Sequence, residues 1–258
     1  MKKSIKMSNE RHIPIPKSAL EKILFPVNRL TESCVLKTNK DSIYTVCSSI
    51  DNSVILYAKT KLPIEIQDLK LNLINIKKFL TGLECLGEGG SFELIHKNNH
   101  LTCKSSNEVT KENTHFKYHL VDDNIIKEST INIETIAKLK FNTIFEISAQ
   151  KIRQIMSAYS FVNEVNKIYF YTKEDQVYAE IDDKTLQNID NVSMLVSNQF
   201  NGDAISTPLS IKIEIFKSLA TFKNNITVKI NNEYKVFIFQ IKDEQNTELK
   251  YIISALVK

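Results

Sequence analysis

The sequence predicts an α+β protein of two similar domains, each a pair of βαβββ repeats with helices on one face of antiparallel sheets. Three observations carry this. A polar turn between two strand-like runs recurs four times along the 258 residues. Each such hairpin follows a segment with helical apolar spacing, itself preceded by a short alternating run. The helical segments are centred about 58, 76 and 63 residues apart, the short, long, short spacing of two double-repeat domains joined by a linker.

In the first repeat Ile13 and Ile15 fill the opening strand, and Leu20, Ile23 and Leu24 form the helical stripe. Pro26 is expected to kink or end this helix early, because proline lacks the N–H of the helical ladder. The hairpin runs 35–38, turns at Asn39-Lys40-Asp41 and returns over 43–47, with a further strand at 54–58. Asn and Asp tolerate left-handed backbone angles and serve as turn residues where Gly is scarce. In the second repeat Leu69, Leu71 and Leu73 alternate, and Ile76, Phe79, Leu80 and Leu83 form the stripe. Strands 92–96 and 101–103 flank Lys97-Asn98-Asn99, and 116–120 closes the repeat.

The third repeat begins at 141–147, and Ser148 stands at the N-cap position. Ile152, Ile155, Met156 and Tyr159 follow at i, i+3, i+4 and i+7; the hairpin 168–172, Lys173-Glu174-Asp175, 177–181 and the strand 191–196 complete it. The fourth has Leu209, Ile211 and Ile213, then the stripe Ile215, Phe216, Leu219 and Phe222. Its hairpin is 226–230, Asn231-Asn232-Glu233, 234–238, and its last strand 251–257. The expected domains are 1–121 and 141–258, with a linker at 122–140 where Asp122-Asp123-Asn124 breaks the pattern.

Composition narrows the function. Hydrophobic residues make up 42% and charged residues 25%, the proportions of a globular chain. No apolar run is long enough to cross a bilayer, and the basic start is followed by no apolar segment, so a cytoplasmic protein without a signal peptide is expected. Cys34, Cys47, Cys85 and Cys103 include no Cys-x-x-Cys pair and are expected as reduced core residues. Gly87, Gly89 and Gly90 make a turn without the Lys-Ser/Thr of a phosphate-binding loop. His96 and His100 flank a turn with no carboxylate or Cys partner nearby, which argues against a metal. Asp122-Asp123 and Asp182-Asp183 are adjacent pairs whose side chains point apart. No catalytic residue, metal or cofactor is nominated, and an enzyme is not expected. The net charge is +4, nearly all of it from lysine, Arg11, Arg29 and Arg153 being the only arginines. Abundant Lys, Asn and Ile point to an AT-rich genome.

The chain resembles the DNA sliding clamps, and among them the tailed-phage and proliferating cell nuclear antigen types. The resemblance rests on the fourfold repeat and on Phe145-Glu146-Ile147-Ser148-Ala149 leading into helix 150–161 and hairpin 168–181. It rests also on Leu249-Lys250-Tyr251 running into an apolar strand. It spans about Arg11 to Lys258, and departs from the type in the basic net charge and in Pro26. It implies a clamp fold whose ring encircles double-stranded DNA, independently of sequence, and tethers the replicative DNA polymerase.

The outward helix positions hold Lys17, Lys22 and Arg29, then Lys77 and Lys78, Lys151 and Arg153, and Lys217 and Lys223. By resemblance these line the pore, where they would meet phosphates. Strand 116–120 of one subunit would pair with 191–196 of the next, setting Phe116, Lys117, Tyr118 and His119 against Val192, Met194 and Val196. Two domains per chain imply three chains. By the same resemblance the polymerase and an ATP-dependent clamp loader dock a peptide between linker and C-terminal strand, with Tyr44, Ile131, Ile133, Ile136, Leu256 and Val257 as the pocket. No membrane partner is expected, and a phage-encoded protein would work in the host bacterial cytoplasm. Two other readings stay open: a monomeric clamp-like factor holding DNA on a basic face, and a repeated β-rich virion protein whose lysines would scatter over all helix faces.

Overall fold

The computed structural model describes residues 10–107, 111–126, 128–129, 131–162, 164–186, 189–243 and 246–256. The chain forms two compact units, Met1–Cys47 with Ala58–Ser129, and Ser48–Tyr57 with Thr130–Lys258.

The first unit contains β1 (Glu10–Ile13), α1 (Lys17–Asn28), β2 (Cys34–Ser48), most of β3 (Val54–Ile66), β4 (Lys70–Leu73), α2 (Ile76–Cys85), β5 (Ser91–Lys97), β6 (His100–Asn107) and β7 (Glu112–His119). β2 is a folded strand. A straight one would hold Val35 and Thr45 roughly 33 Å apart at about 3.3 Å per residue, yet the Thr45 hydroxyl donates to the Val35 carbonyl at 2.8 Å. The chain doubles back at Lys40, which takes φ 48°, and the Ser42 hydroxyl closes the turn onto the Asn39 carbonyl at 3.1 Å. The two arms of β2 are therefore the predicted hairpin, and βαβββ occurs twice in the unit.

The repeats interlock. β1 pairs antiparallel with β5, Ile13 opposite Leu94, and β4 pairs with the first arm of β2, Leu73 opposite Cys34. The first strand of each repeat thus joins the other repeat's sheet, giving β1-β5-β6-β7 and β3-β2-β4. α1 and α2 pack together, burying Leu20, Ile23 and Leu24 on one and Ile76, Phe79, Leu80 and Leu83 on the other. The Asn75 side chain caps α2 by accepting from the Lys78 N–H at 2.8 Å.

Pro26 does not end α1 early; the helix runs on to Asn28 with Pro26 buried inside it. The missing N–H falls in the last turn, so one ladder bond is lost, and the chain leaves through bonds from the Arg29 N–H to Pro26 O and the Leu30 N–H to Val27 O, at 3.3 and 2.9 Å.

The second unit contains α3 (Ile133–Ala137), β8 (Thr143–Ile147), α4 (Ala149–Phe161), β9 (Lys167–Lys173), β10 (Gln176–Ile181), β11 (Val192–Ser197), β12 (Asn201–Gly202), β13 (Leu209–Lys212), α5 (Ile215–Leu219), β14 (Ile226–Asn231), β15 (Val236–Lys242) and β16 (Thr247–Ser254). The same exchange recurs: β8 pairs with β14, Phe145 opposite Val228, and β13 with β9, Ile211 opposite Ile168. The sheets are β11-β10-β9-β13 and β12-β8-β14-β15-β16. Phe170 sits at the centre of the core, its ring 5.7–6.5 Å from those of Phe145, Phe216, Phe237 and Phe239. Ser148 caps α4 as predicted, its Oγ accepting from the Lys151 N–H at 3.2 Å.

Several elements differ from expectation: β12 is unpredicted, and β15, expected from 234, begins at Val236. α5 ends at Leu219, short of the predicted stripe, and the Thr221 hydroxyl donates back to Ser218 O at 2.7 Å. Phe222 lies beyond it, half-buried, with its ring 6.5 Å from that of Tyr251. The linker holds the unpredicted α3, capped by Asn132, whose Oδ1 accepts from the Glu134 N–H at 2.8 Å.

Candidate nucleic-acid interface

The face of each helix left over from the core is where the sequence places its cations. On α2 the exposed Lys77 and Lys78 stand opposite Phe79 and Leu80. On α4 Arg153 is exposed and Lys151 half-buried, while Ile152 and Ile155 are wholly buried. On α1 the half-buried Lys22 and the exposed Arg29, at the C-cap, flank the exposed Phe25. Lys17 is held in place: its Nζ donates to Gly87 O at 2.8 Å and lies 3.6 Å from the Glu21 carboxylate. Lys217 on α5 is exposed and its Nζ lies 5.6 Å from the ring centroid of Tyr159 on α4, which draws the basic surfaces of these two packed helices together. Lys223, expected on a helix, lies in the turn after α5 because that helix is short.

Against these cations the four repeat helices carry only Glu21 and Glu84. Their excess of positive charge is larger than the +4 of the entire chain.

Among the described residues each unit also ends a sheet on an open edge. β7 terminates β1-β5-β6-β7, and β11 terminates β11-β10-β9-β13. The direction of β7's free groups follows from its ladder. The Leu120 N–H bonds Asn99 O at 2.7 Å and continues the register in which Tyr118 faces Leu101 and Phe116 faces Cys103. Hydrogen-bonded pairs alternate along an antiparallel ladder. The backbone groups of 116, 118 and 120 thus turn to β6, and those of His115, Lys117 and His119 turn to the open side.

The side chains of the predicted joint divide. Tyr118 is buried: its hydroxyl accepts from the Asn75 N–H at 3.0 Å and donates to Asn75 O at 3.3 Å, and its ring meets Phe79 edge-on at 5.0 Å. Phe116 covers α2 at Gly82, where a Cβ would lie 2.8 Å from the Phe116 ring. These two side chains serve their own unit, while Lys117 and His119 are exposed. On β11 Val192 and Met194 are half-buried and Val196 is buried. Tyr118→Phe is expected to cost about 1 kcal/mol of stability in denaturant melts, leaving the mass in solution unchanged.

The predicted peptide-pocket residues do not share one depression. Tyr44 is half-buried beside a depression of about 340 Å³ formed with Lys37, Thr38, Asn39, Asp68, Leu69 and Lys70. Leu256 lines a cavity of about 460 Å³ with Tyr169, Ile205, Pro208 and Leu209. Ile131, and Ile133 and Ile136 on α3, are half-buried; Val257 lies outside the described residues. The cavity lining at Tyr169 and 205–210 was missed, since these residues read in sequence as strand and loop.

Among the described residues no three His, Cys, Asp or Glu side chains cluster as a metal site, and no helix is long and apolar enough to cross a membrane. Cys34, Cys47 and Cys103 are buried, and burial pushes the Cys47 and Cys103 thiols up to about 12. Cys85, expected in the core, is exposed near the end of α2.

No protein-family model and no curated protein sequence matches the chain. Solved structures do. The chain is similar to PCNA from Thermococcus kodakaraensis, with a TM-score of 0.71 at 12% identity over 96% of this chain and 100% of that one. Proliferating Cellular Nuclear Antigen from Entamoeba histolytica gives 0.75 at 13% identity, over 97% and 100%. A. fulgidus PCNA with the C-terminal region of FEN-1 bound gives 0.74 at 11% identity, over 96% and 98%. Two units of interlocked βαβββ repeats and these full-length likenesses define one architecture: the chain has the DNA sliding-clamp fold. Within that fold its two compact units give it the two-domain architecture of the proliferating cell nuclear antigens to which it is similar.

Proposed function

We propose that three copies of the chain join head to tail into a closed ring around duplex DNA and act there as a polymerase processivity factor. The observation that carries this reading is the pair of open strand edges, β7 on one unit and β11 on the other. Unpaired edge N–H and C=O groups call for partners, and two different edges on one chain make a heterologous joint that closes when its rotation divides a circle. The basic helix faces support the second half of the reading. Lysine and arginine meeting phosphate give weak, salt-sensitive, sequence-independent contact, which lets a protein slide. Retention then comes from topology instead of affinity.

A short apolar segment of the polymerase, or of an ATP-driven loader, fits the role of partner, with the cavity beside Leu256 as its seat. The A. fulgidus protein, bound to the C-terminal region of FEN-1, is similar in having a partner's terminal segment on a clamp of this fold. The expected domain limits, 1–121 and 141–258, place one half of the joint in each domain. A tailed-phage origin is supported by the abundance of Lys, Asn and Ile.

The test is threading. Protein is allowed onto linear duplex fixed at one end, the free end is then blocked, and the DNA is washed in 0.5 M salt before being cut. A ring survives the wash and leaves on cutting. A monomer holding DNA on a basic face, the alternative favoured by the net charge, washes away whether or not the end is blocked.

A further inference from the structure

All five histidines of the chain lie in the single sheet β1-β5-β6-β7. Side chains alternate across a strand, and the face toward α2 is taken by Leu101, Cys103, Phe116 and Tyr118. His12, His100, His115 and His119 therefore share the opposite face, and His96 falls on the helix side of β5. His100 stands directly opposite His119, their ring centroids 5.8 Å apart, and Lys104 stands opposite His115.

The other ionisable groups on this face are Glu10 on β1, Glu93 and Lys97 on β5, Lys104 on β6 and Lys117 on β7. Glu10 is ion-paired with Lys97, and Glu93 is opposite Lys104. Among the described residues no carboxylate shares this face of β7 with the imidazoles; their ionisable neighbours along the strand and directly across it are Lys117, Lys104 and His100. The surroundings already disfavour charge on His100, whose pKa is held below the ordinary imidazole value by burial first, then by Lys117, His119, Lys97 and His96. The strand proposed to join this edge, β11, reads Val-Ser-Met-Leu-Val-Ser and has no ionisable side chain. The carboxylates beside it are Glu180 on β10, opposite Ser193 and 3.2 Å from Lys184, and the exposed Asp190 just before the strand.

We infer that His115 and His119, with His100 behind them, make the joint between subunits pH-sensitive, closed at neutral pH and weakened in mild acid. The inference rests on the ring reading above. Laying β11, itself without an ionisable side chain, along β7 strips water from the imidazoles, which favours their neutral form. Protons then bind the separated subunit more tightly than the closed joint. The joint is at full strength at neutral pH and loses strength as mild acid protonates the face. Each unit of pKa difference weakens the joint about tenfold per histidine.

The experiment is sedimentation equilibrium of the full chain at about pH 8, 6.5 and 5.5, for the wild type and for H115Q/H119Q, with circular dichroism to show both folded throughout. The wild-type dissociation constant is expected to rise at least about tenfold from pH 8 to 5.5, and that of the double variant to change less than about threefold. Should the double variant not fold, H119Q alone carries the test with about half the logarithmic effect. A wild-type trimer equally tight at both extremes, or a variant that keeps the full acid loss, overturns the pH switch and leaves the ring intact. A wild type that is monomeric already at pH 8 overturns the ring and the switch with it.

Discussion

Replacing Lys77, Lys78, Lys151 and Arg153 together by alanine is expected to lower duplex affinity several-hundredfold near 0.1 M salt. These four side chains lie on the helix faces turned away from the core and make no ion pair among those found on α2 and α4. Each phosphate contact contributes a slope of about −0.9 to the dependence of log affinity on log salt. Losing about three simultaneous contacts flattens that slope by about 3, which near 0.1 M is a loss of roughly 500-fold. The four lysines Lys40, Lys111, Lys173 and Lys235 are exposed but lie in or beside turns between strands, away from the helix faces. Their replacement by glutamine removes the same charge and is expected to leave the slope within about one contact of wild type. Fluorescence anisotropy on a labelled duplex across a salt series measures both. Equal losses in the two sets would mean that net charge alone, and not the helix face, holds DNA.

Lys117→Pro is expected to turn the assembly into folded monomers at micromolar concentration. The Lys117 backbone faces the open side of β7, so proline there removes no bond to β6. Proline is tolerated on an edge strand where its missing N–H would point outward. The same change deletes a donor from the joint and places a ring where the neighbouring strand must lie. A lost hydrogen bond plus that steric conflict corresponds to roughly 3 kcal/mol, or at least a hundredfold in the joint's dissociation constant. Phe116→Pro is the contrasting variant. It breaks the ladder to β6 and the contact with Gly82, so it is expected to unfold the first unit. Sedimentation and thermal melts separate the outcomes: K117P monomeric and folded, F116P destabilised. A K117P protein that stays trimeric would place the joint on some other edge.

The repeat was legible because its signals are local. The stripe Ile76, Phe79, Leu80, Leu83 and the cap Ser148 need nothing beyond neighbouring residues to form a helix, and all appear in place. Where a distant group decides the outcome, the sequence is silent. Interlocking of the repeats, with β1 beside β5 and β13 beside β9, depends on pairings between segments far apart in the chain. The hairpins were found from their polar turns, yet the left-handed residues are Lys40, Asn98, Glu174 and Lys235, only one of them Asn. Turn geometry set by the flanking strands overrode residue preference at the other three. Lys223 was misplaced because an apolar stripe extended past Leu219 does not show that Thr221 turns its hydroxyl back on Ser218. The basic faces were legible as alternation between buried and polar positions. The division of labour on β7, Tyr118 inward to Asn75 and His119 outward, follows the alternation, but the hydrogen bonds that hold Tyr118 do not.

The closed ring is the claim on which the rest depends, and mass in solution tests it most directly. Light scattering at neutral pH, repeated over a hundredfold range of concentration, is expected to give three times the 29.6 kDa chain mass down to the joint's dissociation constant. A single 29.6 kDa species at every concentration would contradict it and leave the open edges of β7 and β11 without the partner assigned to them.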